Sequence, residues 1–358
     1  MLYKTYGRTG KKISVVAFGG MRFPEPAKTD EMAEIVLHAY NKGVTYFDTA
    51  PYYCDDKSED IMGAAIKQMK PGTFYVSTKC GADDGAEMRR SLENSLKRLG
   101  LERVDFFHIW CLIRPEQWAE RKAKGAVGAA LKAKEEGLVN HVVFSSHMYG
   151  RQIREIIREG VCEGVTLGYN AINFPFRQEA VDAAGEAGLG VVTMNPLGGG
   201  VIAANASRFD FIRGPQDPDV VSAALRFNIS QPAITAALVG FSSKQHVDQA
   251  VAAVENFQPY DQAHIEKMKK HIESGFDGLC TGCGYCLPCP QNIEIPKMMD
   301  AYNQKILGGE PPADRLRWHW GLSADAAAEC VQCGACEGLC TQRLPIMERM
   351  QFLASLKG

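Results

Sequence analysis

Eight alternations of a short β-branched run with a longer amphipathic stretch, over about 250 residues, predict a closed (β/α)8 TIM barrel in the α/β class. No GxGxxG follows the first run, which argues against the runner-up, an open doubly wound sheet. Beyond the barrel pattern stand two cysteine runs, Cys280-Thr-Gly-Cys283-Gly-Tyr-Cys286-Leu-Pro-Cys289 and Cys330-Val-Gln-Cys333-Gly-Ala-Cys336-Glu-Gly-Leu-Cys340. They predict a second, small helical domain folded around iron–sulfur clusters. The expected division is a barrel over 1–256, a linker helix over 257–275 and the cluster domain over 276–358.

The expected strands are Ser14–Phe18, Val44–Asp48, Phe74–Lys79, Val104–Trp110, His141–Ser145, Val165–Tyr169, Gly190–Asn195 and Ala236–Val239. The helices between them read Thr29–Lys42, a stretch from Ser58, Glu87–Leu99, Ala126–Glu136, Arg151–Glu159, Gln178–Ala187, Asp219–Asn228 and Ser243–Glu255. Tyr260–Ser274 reads as an amphipathic helix, and Ile295–Ile306 as a helix between the cysteine runs. Arg315-Leu-Arg-Trp318-His-Trp320 is a basic–aromatic patch that either docks a partner or shields a cluster.

A chain of 358 residues suits a large barrel with an appendage, and 46% hydrophobic content is ordinary. A net charge of −2 gives no bulk attraction to nucleic acid or anionic lipid. The polar start, Met1-Leu-Tyr-Lys-Thr-Tyr-Gly, lacks a signal-peptide apolar region, and no stretch approaches a membrane span. The expectation is a cytoplasmic protein with neither nucleic-acid nor membrane partners.

Thiolates are the soft ligands that iron–sulfur clusters need, and three of them two residues apart can grip a cluster from one loop. Zinc sites more often use two CxxC pairs a long loop apart, and disulfides need an oxidising compartment. The runs resemble those of small two-cluster ferredoxins, which cross their ligands. That resemblance implies one [4Fe–4S] cluster on Cys280, Cys283, Cys286 and Cys340, and another on Cys330, Cys333, Cys336 and Cys289. There are departures: two residues rather than three separate Cys286 from Cys289, Thr341 replaces a proline, and the runs are far apart. A single cluster with spare cysteines is the alternative.

In a barrel, chemistry gathers at the C-terminal ends of the strands. The second strand ends in Asp48, its loop carries Tyr53, and the third strand ends in Lys79. A lysine cation beside a phenol lowers its pKa, and a carboxylate keeps the lysine charged and aimed. The bland alternative is a structural ion pair with a rim tyrosine. Phe47-Asp48-Thr49-Ala50-x-x-Tyr53, Ser58-Glu59 and Ser77-Thr78-Lys79 resemble the signature of the aldo-keto reductases. So do Phe18-Gly19-Gly20-Met21, Ser145-Ser146 and Asn195-Pro196-Leu197-Gly198, and the cysteine-rich tail resembles the branch with an appended ferredoxin-like domain.

The resemblance implies reduction of a small carbonyl by hydride from NADPH or NADH. Tyr53 is then the proton donor, with Lys79 tuning it and Asp48 orienting Lys79. The cofactor candidates are Gly20, Met21, Ser145, Ser146, Thr166, Met194, Pro196, Leu197 and Gly198. In the segment after the eighth strand they are Gly240, Ser242, Lys244, His246 and Gln249. Two features depart from the family pattern. Trp110 stands where the family places a catalytic histidine. His108 lies on the same face roughly 7 Å deeper, as a candidate catalytic group or a satisfied core histidine. The eighth-strand segment also lacks the usual 2′-phosphate lysine and arginine. These departures open enone reduction as an alternative, and a barrel that no longer uses nicotinamide as another. The clusters either exchange electrons with a ferredoxin-type partner or are architectural. Cys54, Cys80, Cys111 and Cys162 read as small packing residues.

Overall fold

The computed structural model describes all residues except 113–114, 149, 274–277, 281–283, 308–310, 341 and 357–358. Contacts divide it into two compact units, 1–197 with 212–264, and 198–211 with 265–358. The division falls within the helix Gln262–Glu273.

In the first unit eight parallel strands close into a barrel: β3 (Val16–Gly19), β4 (Tyr46–Asp48), β5 (Tyr75–Cys80), β6 (Val104–Leu112), β7 (Val139–Ser146), β8 (Gly164–Gly168), β9 (Gly190–Met194) and β10 (Ala236–Gly240), with β10 pairing back to β3. A short antiparallel hairpin, β1 (Tyr3–Thr5) and β2 (Lys12–Ser14), precedes them. Sequence reading misses it because three-residue strands carry no measurable period. The run Ser14–Phe18, expected as one strand, is split at Val15, whose N–H donates to the Leu2 carbonyl.

The hairpin stoppers the N-terminal end of the barrel. Tyr6 is fully buried and packs on Tyr46 and Phe106, with Val143, Val192 and Ala236 around it. Gly164 and Gly190 open β8 and β9 there, and a Cβ on either would overlap the Tyr6 ring. The absence of a side chain at these two positions is therefore a packing requirement.

Alternation then carries four of the strands from an apolar floor to the residues of the upper end on the same face. Tyr46 is followed by Asp48, Tyr75 by Ser77 and Lys79, Phe106 by His108 and Trp110, and Val143 by Ser145. β6 runs longer than expected and bulges between Ile109 and Leu112, with Cys111 at φ 65°. A bulge there re-aims the end of the strand.

The second unit packs Met298, Met299, Leu316, Ile346, Met350 and Leu353 into its own core, which includes Cys340. The basic–aromatic patch folds back on the helix Ile295–Leu307, where Asp300 accepts from both Arg315 Nε and Trp320 Nε1 at 2.8 Å. No helix among the described residues is long and apolar enough to cross a membrane.

Candidate active site and cysteine centre

Asp48 ends β4 directly opposite Ser77 on β5, and Lys79 follows two residues on, so all three share one face. Lys79 Nζ donates to both Asp48 carboxylate oxygens, at 2.6 and 2.5 Å, and to the Thr49 carbonyl at 2.7 Å. Ser77 Oγ donates to the same carboxylate. The pair is 2% and 3% exposed for Asp48 and Lys79 respectively, so each charge depends on the other. On the opposite face of β5, Thr78 donates to buried Glu59 at 2.7 Å.

Tyr53 lies over this pair. The Lys79 ammonium is 5.3 Å from its ring centroid, and Trp110 meets the ring edge-on at 5.7 Å. The Tyr53 hydroxyl makes no hydrogen bond among the described residues. Tyr52, Cys54, Asp55 and Asp56 all have positive φ, between 53° and 68°. Such conformations in non-glycine residues cost energy and concentrate at working sites. Arg98 anchors the loop, donating to Asp56 (its carboxylate at 2.6 Å, and its carbonyl) and to both Asp60 oxygens at 3.1 and 2.9 Å. Arg121 donates to the carbonyls of Trp110, at 2.5 Å, and Gly81, at 3.0 Å, tying the ends of β5 and β6 together. Neither arginine is visible as functional in the sequence. Each sits on an amphipathic helix where spacing predicts only a solvated charge.

The electrostatics differ from the sequence expectation. Burial raises the Tyr53 pKa well above its ordinary value and the Asp48 carboxylate adds to the rise, while Arg22 opposes it. Burial also lowers the Lys79 pKa, against the pull of Asp48 and Glu59.

His108 pairs in register with Lys79, is fully buried, and lies 2.8 Å by Nε2 from Thr166 Oγ1. Burial and the Lys79 charge hold it neutral. Thr166 is thereby engaged, and Ser145 stands beside it in register with a buried Oγ that has no hydrogen-bond partner among the described residues. Ser146 is satisfied internally, donating to the Leu112 carbonyl and accepting from Met148 N–H. Gly20 N–H donates to the Asp48 carbonyl at 2.8 Å, and Met21 is 43% exposed.

Met194 is half-buried at the end of β9, followed by buried Pro196 and half-buried Leu197. Gly198 opens a glycine turn that belongs to the second compact unit. The candidates after β10 are occupied: Lys244 pairs with Glu34 at 2.7 Å, Ser242 with His246 at 2.9 Å, and Gln249 with Asp219 at 2.9 Å. Arg22, overlooked in the sequence, lays its side chain across Gly240, where a Cβ would come within 2.8 Å of Arg22 Cγ.

A cavity in the second unit is lined by five cysteines, Cys286, Cys289, Cys330, Cys333 and Cys336. These include the four thiols that the crossed ligand set assigns to one cluster. Gly284 and Gly334, each after the second cysteine of its run, have φ of 79° and 74° and open space beside them. A side chain there would resist the turn that wraps each loop. Cys280 is clamped by Asn303, its N–H and carbonyl bonded at 2.9 and 2.8 Å. Cys283 and Thr341 lie outside the described residues. No three described His, Cys, Asp or Glu side chains converge as on a single metal ion. A cubane cluster binds each thiolate to a different iron, so its ligands ring a cavity instead.

L-Galactose dehydrogenase of Arabidopsis thaliana is 26% identical over 306 residues, 75% of this chain and 94% of its own length. A probable aldo-keto reductase of Glycine max is 27% identical over 209 residues, 54% of this chain and 59% of its own. An aldo-keto reductase from Bacillus halodurans superposes with a TM-score of 0.64 at 20% identity, over 75% of this chain and 96% of that one. At that identity the likeness speaks for the fold alone. The aldo/keto reductase family model matches residues 15–273 and a 4Fe–4S dicluster domain matches residues 279–345. The chain belongs to the aldo/keto reductase family of oxidoreductases, in a branch with a C-terminal 4Fe–4S dicluster domain.

Proposed function

We propose that the barrel reduces a small carbonyl compound with hydride from NADH or NADPH, and that Tyr53 donates the proton. The observation that carries this reading is the buried Asp48–Lys79 pair with the Tyr53 ring 5.3 Å from the ammonium, at neighbouring strand ends. A reduced nicotinamide bound at the mouth supplies the hydride to the carbonyl carbon. The chain's task is to polarise the oxygen and protonate it. Tyr53 holds its proton through the neutral range and has its hydroxyl available. Lys79 stands beside it to stabilise negative charge as the proton leaves, and Asp48 and Thr49 fix where Lys79 points. Ser145, with its orphaned buried oxygen, is the group we assign to the carboxamide. His108 holds Thr166 in this reading and does not reach substrate.

With Trp110 at the rim and His108 pinned below it, the mouth offers one acid rather than two. That observation favours a second reading, reduction of an activated C=C bond in the same site. For the second unit we propose two [4Fe–4S] clusters with crossed ligands, exchanging electrons with a ferredoxin-type partner.

The test uses anaerobically purified, cluster-loaded protein. Calorimetry should show one nucleotide bound per chain. Tyr53→Phe should cut carbonyl turnover by about 10²–10⁴-fold with nucleotide affinity unchanged. Intact turnover in Tyr53→Phe would remove the assigned acid, and absent nucleotide binding would remove the hydride reading.

A further inference from the structure

We propose that the two clusters are unequal, and that the one on Cys289, Cys330, Cys333 and Cys336 is where single electrons enter or leave the protein. This rests on the two-cluster, crossed-ligand reading above. The described ligands differ in exposure. Cys333 is exposed, whereas Cys340 is 9% exposed and part of the core of the second unit. Cys280, in the set with Cys340, is held by Asn303, itself 3% exposed.

The loop around Cys333 carries two further features that folding alone does not favour. Val331 is 63% exposed, and Gln332 beside it has φ 53°. A left-handed conformation in a non-glycine residue costs energy. The cost is not recovered by burying Val331, since the turn leaves it in solvent. Leu287, before Pro288 and Cys289, is 38% exposed. An exposed ligand with apolar neighbours lets a carrier approach closely and shed water on contact, and electron transfer slows steeply with distance. The balance is simple: the cluster gains one electron as a one-electron carrier loses one, with no proton or bond change. The cluster on Cys340 then communicates with the outside through the first.

Two measurements on the intact chain test this. Cluster-loaded protein is challenged with chelator and ferricyanide, trapped with iodoacetamide at intervals, and mapped by peptide mass. Cys289, Cys330, Cys333 and Cys336 should label as one group, several-fold before Cys280 and Cys340. Substoichiometric reduced methyl viologen with freeze-quench electron paramagnetic resonance should show a first signal that Cys333→Ser alters. Simultaneous labelling of both groups, or Cys340 labelling first, overturns the proposal. So does an early signal indifferent to Cys333→Ser. Labelling of Cys289 together with Cys280 and Cys340, or an iron count of about four rather than eight, instead overturns the ligand reading beneath it.

Discussion

The two ends of the barrel are made by opposite means. At the N-terminal end, Tyr6 fills the interior against Tyr46, Phe106 and two strand-opening glycines. At the C-terminal end, two strand steps up the same faces, an ammonium and a carboxylate are buried together under a loop of left-handed residues. Burying a charge is favourable only if its partner stays, and strain persists only if the surroundings enforce it. One end maximises packing; the other spends stability on positioned charge. This is the division of labour expected of such barrels.

Asp48→Ala should produce the largest stability effect at the charged end. It leaves Lys79 buried with the Thr49 carbonyl as its remaining partner, and breaking a buried pair in this way costs about 3–5 kcal/mol. Chemical denaturation measures it, and turnover should fall in parallel. A variant as stable as the wild type would show that the pair does not hold this end together.

Gly190→Ala probes the packed end. The added methyl must displace Tyr6, and overpacking of this kind costs about 1–3 kcal/mol. Turnover per folded molecule should be unchanged. A change in kcat without a loss of stability would mean that the two ends are coupled, against the contrast drawn above.

How far the sequence reveals each end follows from the same physics. Asp48, Tyr53 and Lys79 were legible because strand ends and short motifs place chemistry at readable positions. The eight barrel strands were legible because burial imposes a pattern over several residues. The hairpin was not, since three-residue strands leave no period, and Tyr6 looks like any tyrosine until Gly164 and Gly190 are seen against it. Arg98 and Arg121 were invisible for another reason: their partners are carbonyls and carboxylates far along the chain, and nothing local distinguishes them from solvated charges. The direction of the Tyr53 shift is not readable from the sequence, because a lysine nearby is a sequence fact, whereas desolvation of the phenol and the Asp48 charge beside it are structural ones.

Arg98→Ala should have a smaller effect, split unequally between stability and rate. Its ion pairs to Asp56 and Asp60 are partly exposed, so the stability loss should stay near or below about 1 kcal/mol. The loop it anchors aims Tyr53, and small misplacements of reacting groups are costly. We expect kcat to fall about tenfold with KM little changed. Arg98→Lys should restore less than half of the loss, because a single ammonium cannot reproduce the forked contacts. Equal losses in stability and rate would reduce Arg98 to a surface clamp.

The smallest expected effect is one that does not occur. Burial and Asp48 raise the Tyr53 pKa, so the phenol is protonated below that raised value and ionises only as pH climbs through it. Reduction needs the protonated form, so its kcat should be flat between about pH 6 and 9. Oxidation of the alcohol needs the phenolate and should rise about tenfold per pH unit across the same span. A descending limb in the reductive profile near neutrality, abolished in Tyr53→Phe, would mean that Lys79 does bring the phenol down once substrate is bound. The charged end would then be a tuned acid rather than a guarded one, and its contrast with the packed end would lie in proton affinity as well as in placement.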